Sequence, residues 1–253
     1  MSDVVVLTTT RYRPTEGLRF DLACRMVGSA VGHGYGVLIV DDSLDTLVRT
    51  ALARIGADVF PAVPGMGAGR RQLFSLAYER FLKSGESPLF LWTEPEKDDL
   101  IRFVPTIVDS LRFSEADIVV VGRTEASWRT CPVLQSESER RANAIYREVT
   151  GLDLDPMRGP VAFNRRALPF FAKCNPEKYG AATGYIQHVA PLEAHAAGLK
   201  VVGVNVDFYY PLAQRAEEEG PLFTEMQKKW PRQFKECTDA YCKVAKALGL
   251  PKG

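Results

Sequence analysis

Four short clusters hold most of the side chains capable of chemistry. Thr8-Thr9-Thr10-Arg11 sets hydroxyls ahead of a guanidinium group, and Asp41-Asp42-Ser43 puts two carboxylates side by side. Gly65, Gly67 and Gly69 leave room for close backbone approach, with Arg70 and Arg71 directly after them. In the fourth cluster, Glu94 and Glu96 flank Pro95 and are followed by Lys97, Asp98 and Asp99. A proline biases its predecessor toward extended geometry, where residues i and i+2 face one side, so the two glutamates are expected to project together. Such a pair can hold a hard divalent cation, magnesium or manganese, whose shell is completed by water and phosphate oxygens. The same run can instead open a helix, where acidic side chains favour the positive dipole end.

The other clusters also admit two readings each. Arg70 and Arg71 in a first helical turn oppose the helix dipole unless an anion binds there, since helix N–H groups and a guanidinium fork both recognise phosphate. The alternative is a turn with solvated arginines. One of Asp41 and Asp42 can accept hydrogen bonds from a nucleobase or ribose, while Asp42 or Ser43 can cap a helix. Of the three histidines, His33 sits in a Gly-His-Gly turn, and His188 is a better site candidate than His195.

These clusters follow apolar runs that read as strands buried on both faces: Val4 to Thr9, Val37 to Val40, Ala57 to Phe60, Leu89 to Trp92 and Ile118 to Val121. Helical patterns lie between them at Leu18 to Val31, Leu44 to Ile55 and Gly69 to Leu82. The alternation predicts a doubly wound α/β sheet, and in such sheets ligands bind outside the carboxyl ends of the strands. All four clusters fall at that edge. Cationic and acidic loops meeting there suit a phosphorylated ligand with a nucleoside or a metal. Beyond Glu125 the pattern loosens, and Glu137, Glu139, Arg140 and Arg141 suggest an exposed helix. A strand at Val161 to Phe163, a helix from about Thr183 to Ala197, a strand from Lys200 to Phe208 and an amphipathic helical stretch from about Pro221 to Leu248 follow.

The chain has 253 residues, 46% of them hydrophobic, and a formal net charge of +1. It therefore lacks the global basic field of a protein that binds nucleic acid non-specifically. No apolar run reaches the roughly 20 residues that span a bilayer, so no transmembrane segment is expected, and a cytoplasmic location is. The five cysteines are scattered, odd in number and never spaced as C-x-x-C, which argues for reduced thiols over a disulfide framework or a zinc site.

Taken in order, these segments resemble the GT-A-fold glycosyltransferases, in particular the family 2 enzymes that include dolichyl-phosphate mannose synthase. The resemblance runs over about residues 3 to 210. It takes in Ser138-Glu139-Arg140-Arg141-Ala142-Asn143, the run from Asp155 to Arg165 (Asp-Pro-Met-Arg-Gly-Pro-Val-Ala-Phe-Asn-Arg) and Tyr185 to Val206. It implies a GT-A (Rossmann-like) domain over 1–220, with a mostly parallel central sheet flanked by helices, and a C-terminal helical tail over 221–253. It also implies an inverting transfer from a nucleotide-diphosphate sugar, with Thr9, Arg11, Asp41, Asp42, Arg70 and Arg71 at the nucleotide. Glu94 and Glu96 stand where the family has Asp-x-Asp, each a methylene longer. Gln187 and His188 lie where many relatives carry an acidic base, so Asp155 and His188 are the candidates near the acceptor. The Arg-x-x-Gly-x-Ser-Lys signature of polyprenol-phosphate enzymes is missing, so the family's acceptor is not carried over, and the expected acceptor is an unknown small molecule or glycan. Two rivals are a non-catalytic nucleotide-binding protein of the same fold and a sugar nucleotidyltransferase, whose glycine-arginine loop would directly follow the first strand.

Overall fold

The computed structural model describes residues 3–12, 17–64, 67–180 and 185–251. Seven strands, β1 (Val4–Thr10), β2 (Gly36–Asp41), β3 (Asp58–Pro61), β4 (Leu89–Trp92), β5 (Ile118–Arg123), β6 (Val161–Phe163) and β7 (Val201–Val206), form one sheet in the order β3-β2-β1-β4-β6-β5-β7. The helices are α1 (Gly17–Gly32), α2 (Thr46–Ile55), α3 (Ala68–Lys83), α4 (Val104–Phe113), α5 (Glu125–Trp128), α6 (Val133–Thr150), α7 (Leu168–Lys173), α8 (Ile186–Ala196), α9 (Leu212–Glu219) and α10 (Phe223–Leu248). Part of the glycine-rich loop, Gly65 and Met66, and the expected start of the helix at Thr183 lie outside the described residues.

Alternate strand residues feed two cores, as the two-residue strand period requires. Val5, Leu7, Leu38, Phe90 and Trp92 face one side, where Phe74 of α3, Phe171 of α7, Val189 of α8 and Tyr241 of α10 pack. Val4, Val6, Ile39 and Leu91 face the other, against Met26 of α1, Leu52 of α2 and Ile107 of α4. The chain winds outward from β1 through β2 to β3 and then returns to β4 on the other side of β1. The topological switch point therefore lies between β1 and β4.

Only β6 runs antiparallel, pairing Val161 with Trp92 and with Val120. Reversal has a consequence that an apolar run of three residues does not announce. The residues that precede β6, Asp155 to Pro160, arrive at the edge where the parallel strands end. The helix expected to be exposed, α6, buries Glu139, Ala142, Tyr146 and Thr150 along one stripe. Tyr146 meets Tyr241 of α10 edge to face, with centroids 4.9 Å apart. The segment expected as a helical tail is helical, and its Cys237, Tyr241 and Val244 belong to the core of the main sheet.

Candidate functional site

At the ends of β1 and β2 the two aspartates separate. Asp41 is 1% exposed and accepts from Thr10 Oγ1 at 2.7 Å, Ser43 Oγ at 2.6 Å and Arg49 at 3.4 Å. These contacts knot the two strand ends together and give Asp41 a structural position, with no oxygen turned outward for a nucleotide. Asp42 is exposed and lies 3.6 Å from Arg11 Nε, with half-buried Thr9 beside them on β1. The cap of α2 is neither Asp42 nor Ser43 but Asp45, whose side chain accepts from the Leu47 N–H. Ser43 Oγ instead accepts from the Tyr12 N–H at 2.8 Å.

Arg70 and Arg71 stand in the first turn of α3, after Gly67 in the left-handed conformation. Arg70 donates to Gln187 Oε1 at 3.1 Å and lies 5.1 Å from the Trp92 ring centroid. Burial lowers its pKa from the usual arginine value, and the nearby Glu94 opposes that shift. Arg71 is half-buried, and its N–H bonds to the Gly67 carbonyl.

The acidic loop is a turn rather than an extended segment. The Lys97 N–H bonds to the Glu94 carbonyl at 3.2 Å, with Pro95 at the second position, where its fixed φ favours a turn. This folds Lys97 back onto its neighbour, and Lys97 Nζ donates to Glu94 Oε2 at 2.6 Å and to the Arg158 carbonyl. Burial would raise the Glu94 pKa, but Lys97 and Arg70 outweigh it and hold the carboxyl below its ordinary value. Burial raises that of Glu96, whose Oε1 accepts from the Tyr12 hydroxyl at 3.2 Å. Asp98 and Asp99 take up the helix-opening alternative, in the first turn of a 3-10 segment over Asp98–Phe103.

The two glutamates line one cleft, yet they are not equivalent as metal ligands. Among the described residues no three His, Cys, Asp or Glu side chains converge on a point. The Lys97 ammonium already takes one oxygen of Glu94. Glu96 has a neutral phenol as its side-chain partner, so its carboxylate fits a magnesium or manganese ion that draws its remaining ligands from water and phosphate.

Asp155 and His188, the candidates near the acceptor, are both held in buried contacts. Asp155 accepts from Arg123 Nε and Nη2, both at 2.8 Å, from the Arg123 backbone N–H and from Asn143 Nδ2 at 2.6 Å. The Arg123 guanidinium, wholly buried and 3.4 Å from the Trp128 ring centroid, holds Glu139 on its other side. Asp155 is thus fixed in a buried ionic chain and lines a separate cleft with Asn143 and Asn205. His188 is 4% exposed and bonds through Nδ1 to the Tyr241 hydroxyl at 2.7 Å. Burial pulls its pKa down to about 4, with Arg70 and Lys97 adding to the shift and Glu94 opposing it. It is a neutral core histidine behind the site.

The cleft itself, about 220 Å³, is lined by Glu94, Glu96, Lys97 and Glu139 together with Arg19, Arg158, Phe208, Tyr210, Gln214 and Lys229. Gly159 makes this wall possible. Its φ is +101°, and a Cβ there would stand 2.5 Å from Glu94 Oε1. On the far wall Tyr210 donates to Glu218 at 2.5 Å, and Glu218 pairs with Arg19 of α1 at 3.3 Å. Sequence reading did not single out Arg158, Arg19 or Tyr210 as site residues. The one available signal was the Asp-Pro-Met-Arg-Gly-Pro segment, in which Arg158 directly precedes the glycine.

No protein-family model matches the chain, and no curated protein matches it in sequence. Solved structures match in fold. Glucosyl-3-phosphoglycerate synthase from Mycobacterium tuberculosis, in complex with Mn2+, UDP-glucose and phosphoglyceric acid, has a TM-score of 0.55 at 14% identity, over 99% of this chain and 81% of that one. The same enzyme with Mn2+, UDP and glucosyl-3-phosphoglycerate also gives 0.55, at 13% identity and the same coverage. A CMP:2-keto-3-deoxy-manno-octonic acid synthetase complexed with CTP gives 0.49 at 13% identity, over 89% of this chain and 100% of that one. The architecture is GT-A-like, a mostly parallel seven-stranded sheet flanked by helices. At these identities the likeness concerns the fold.

Proposed function

We propose that this protein is a glycosyltransferase that takes its sugar from a nucleoside-diphosphate donor. The observation that carries this reading is the meeting, at the β1/β4 switch point, of Arg70 and Lys97 with Glu94 and Glu96, beside the exposed pair Arg11 and Asp42. Asp42, Thr9 and Arg11 suit the nucleoside end. Arg70 and Lys97 suit the diphosphate, where fixed positive charge stabilises the negative charge that develops as the nucleotide leaves. A divalent cation, when bound, would add the same kind of stabilisation, and Glu96 is the residue that would hold it. The folds compared above make uridine diphosphate the first nucleotide to test and Mn2+ the first cation. Inversion at the sugar is carried over from the resemblance alone.

An uncharged acceptor hydroxyl needs a base to remove its proton. Asp155 and His188 are the candidates for that role, each held in a buried contact, with Arg123 and with Tyr241 respectively. The Lys97 ammonium at Glu94 favours a second reading, nucleotide binding without turnover. Measuring binding of UDP and UDP-sugars together with release of UDP, with and without Mn2+, separates the two. Transfer predicts turnover and a metal dependence that Glu96→Gln removes. Binding with no turnover on any donor would leave the second reading, and absence of nucleotide binding would defeat both.

A further inference from the structure

Arg158 differs from the other buried charges near the site. Arg123 has Glu139 and Asp155, Lys97 has Glu94, and Glu218 has Arg19. Arg158 is 4% exposed, forms no ion pair among the described residues, and its Nε has no hydrogen-bond partner there. Its guanidinium lies over the Phe208 ring at 3.7 Å and reaches the Phe208 carbonyl at 3.5 Å. An unpaired buried charge is costly to maintain, and here the like-charged Arg123 stands close by. Burial together with Arg123 lowers the Arg158 pKa to about 10, which still leaves it charged at neutral pH.

The surroundings of this guanidinium are built rather than incidental. Gly159 and the turn over Pro156–Arg158 set it against the cleft, and Phe208 fixes its plane. Three carboxylates share the cleft, but Lys97 engages Glu94, Arg123 engages Glu139 and the Tyr12 hydroxyl meets Glu96. Across from them Lys229 of α10 lines the same cleft and forms no ion pair among the described residues. The volume exceeds the roughly 30 Å³ of a single water and admits a small molecule. Arg11, Asp42 and Arg70 do not line this cleft, although Glu94, Glu96 and Lys97 do. It extends from Glu94 toward the segment before β6, α6 and α10, away from the β1/β2 edge.

We propose that Arg158, with Lys229 across the cleft, binds an oxyanion, the phosphate or carboxylate of a small acceptor. A guanidinium stacked on an aromatic ring with a free donor edge is suited to either group, since both accept paired N–H donors. The word acceptor rests on the glycosyltransferase reading, whereas the anion site rests on Arg158 and Lys229.

Calorimetric titration of the full chain tests this, with glycerol 3-phosphate and glycerate as probes and glycerol as the uncharged control, each with and without saturating UDP. At least one anion should bind, the tighter one identifying the group, while glycerol should not. UDP should leave that affinity within about threefold. Arg158→Gln should weaken anion binding tenfold or more without changing UDP affinity, and Arg158→Lys should restore part of the loss. Lys229→Gln alters an exposed position on α10. It should weaken the anion about threefold, which keeps the test open if the Arg158 variants do not fold. Failure of both anions to bind the native protein, indifference to these substitutions, or displacement by UDP would overturn the proposal. The last result would assign the cleft to the donor diphosphate. Anion binding without any UDP binding would uphold the site and defeat the glycosyltransferase reading instead.

Discussion

Arg70 and Asp155 show how two charged residues drawn from equally suggestive motifs come to different surroundings, the one at Gln187 and Trp92 and the other at the buried Arg123. Arg70 faces Trp92 and Gln187 at the switch point, so Arg70→Ala should weaken UDP binding by roughly 1.5–3 kcal/mol, the range for a charge-assisted hydrogen bond. Titration of UDP into both proteins measures it, and an equal dissociation constant would return Arg70 to a structural role. Asp155 is one partner of the buried Arg123, and removing one member of a buried pair leaves the other uncompensated. Asp155→Ala should therefore cost about 3 kcal/mol of stability in urea unfolding, near the low end of the range for such breaks. A folded variant of native stability that has lost only turnover would restore Asp155 to the acceptor side. Sequence alone could not separate these cases. A carboxylate's partner can lie 32 positions away, as Arg123 lies from Asp155, and nothing local in the motif records it.

The elements were legible where burial on both faces forces continuous apolar runs, as in β1, β2, β4 and β5. They were less so where direction or partner decides. Three apolar residues at Val161–Phe163 announce a strand, but pairing between β4 and β5 makes it antiparallel. That reversal delivers Arg158 and Gly159 to the site. Glu139, read as exposed from its charged neighbours, is buried because Arg123 of β5 reaches it. Pro95 likewise produces a turn, since the Lys97 N–H returns to the Glu94 carbonyl and the lysine side chain returns to the Glu94 carboxylate. The join between the pre-β6 segment and this turn rests on Gly159. Gly159→Ala places a Cβ against Glu94 at positive φ and should cost on the order of 1–3 kcal/mol. Chemical denaturation checks the loss, and a variant as stable as the native protein would show that the two loops do not press on each other there.

Across the whole molecule, one doubly wound sheet and its two cores bring the four polar loops to a common edge, and α10 completes the core beneath the cleft that Arg158 lines. No helix among the described residues is long and apolar enough to cross a membrane. His188, buried against Tyr241 of α10, links that packing to pH. Its folded pKa of about 4 lies below the unfolded value near 6.5, so the unfolded chain binds the extra proton first. Stability should fall as pH drops from about 6.5 toward 4, at up to ~1.4 kcal/mol per unit from this residue, and be unaffected by it above that window. His188→Gln should flatten this limb in urea midpoints measured across that range. An unchanged slope would mean that His188 is protonated in the folded protein. The central claim, a donor site at the β1/β4 edge, is tested most directly by a crystal structure of the protein with UDP and Mn2+. The account predicts the nucleoside beside Asp42, the diphosphate within hydrogen-bonding distance of Arg70 and Lys97, and the cation at Glu96. A nucleotide bound elsewhere, or phosphates that touch neither Arg70 nor Lys97, would contradict it.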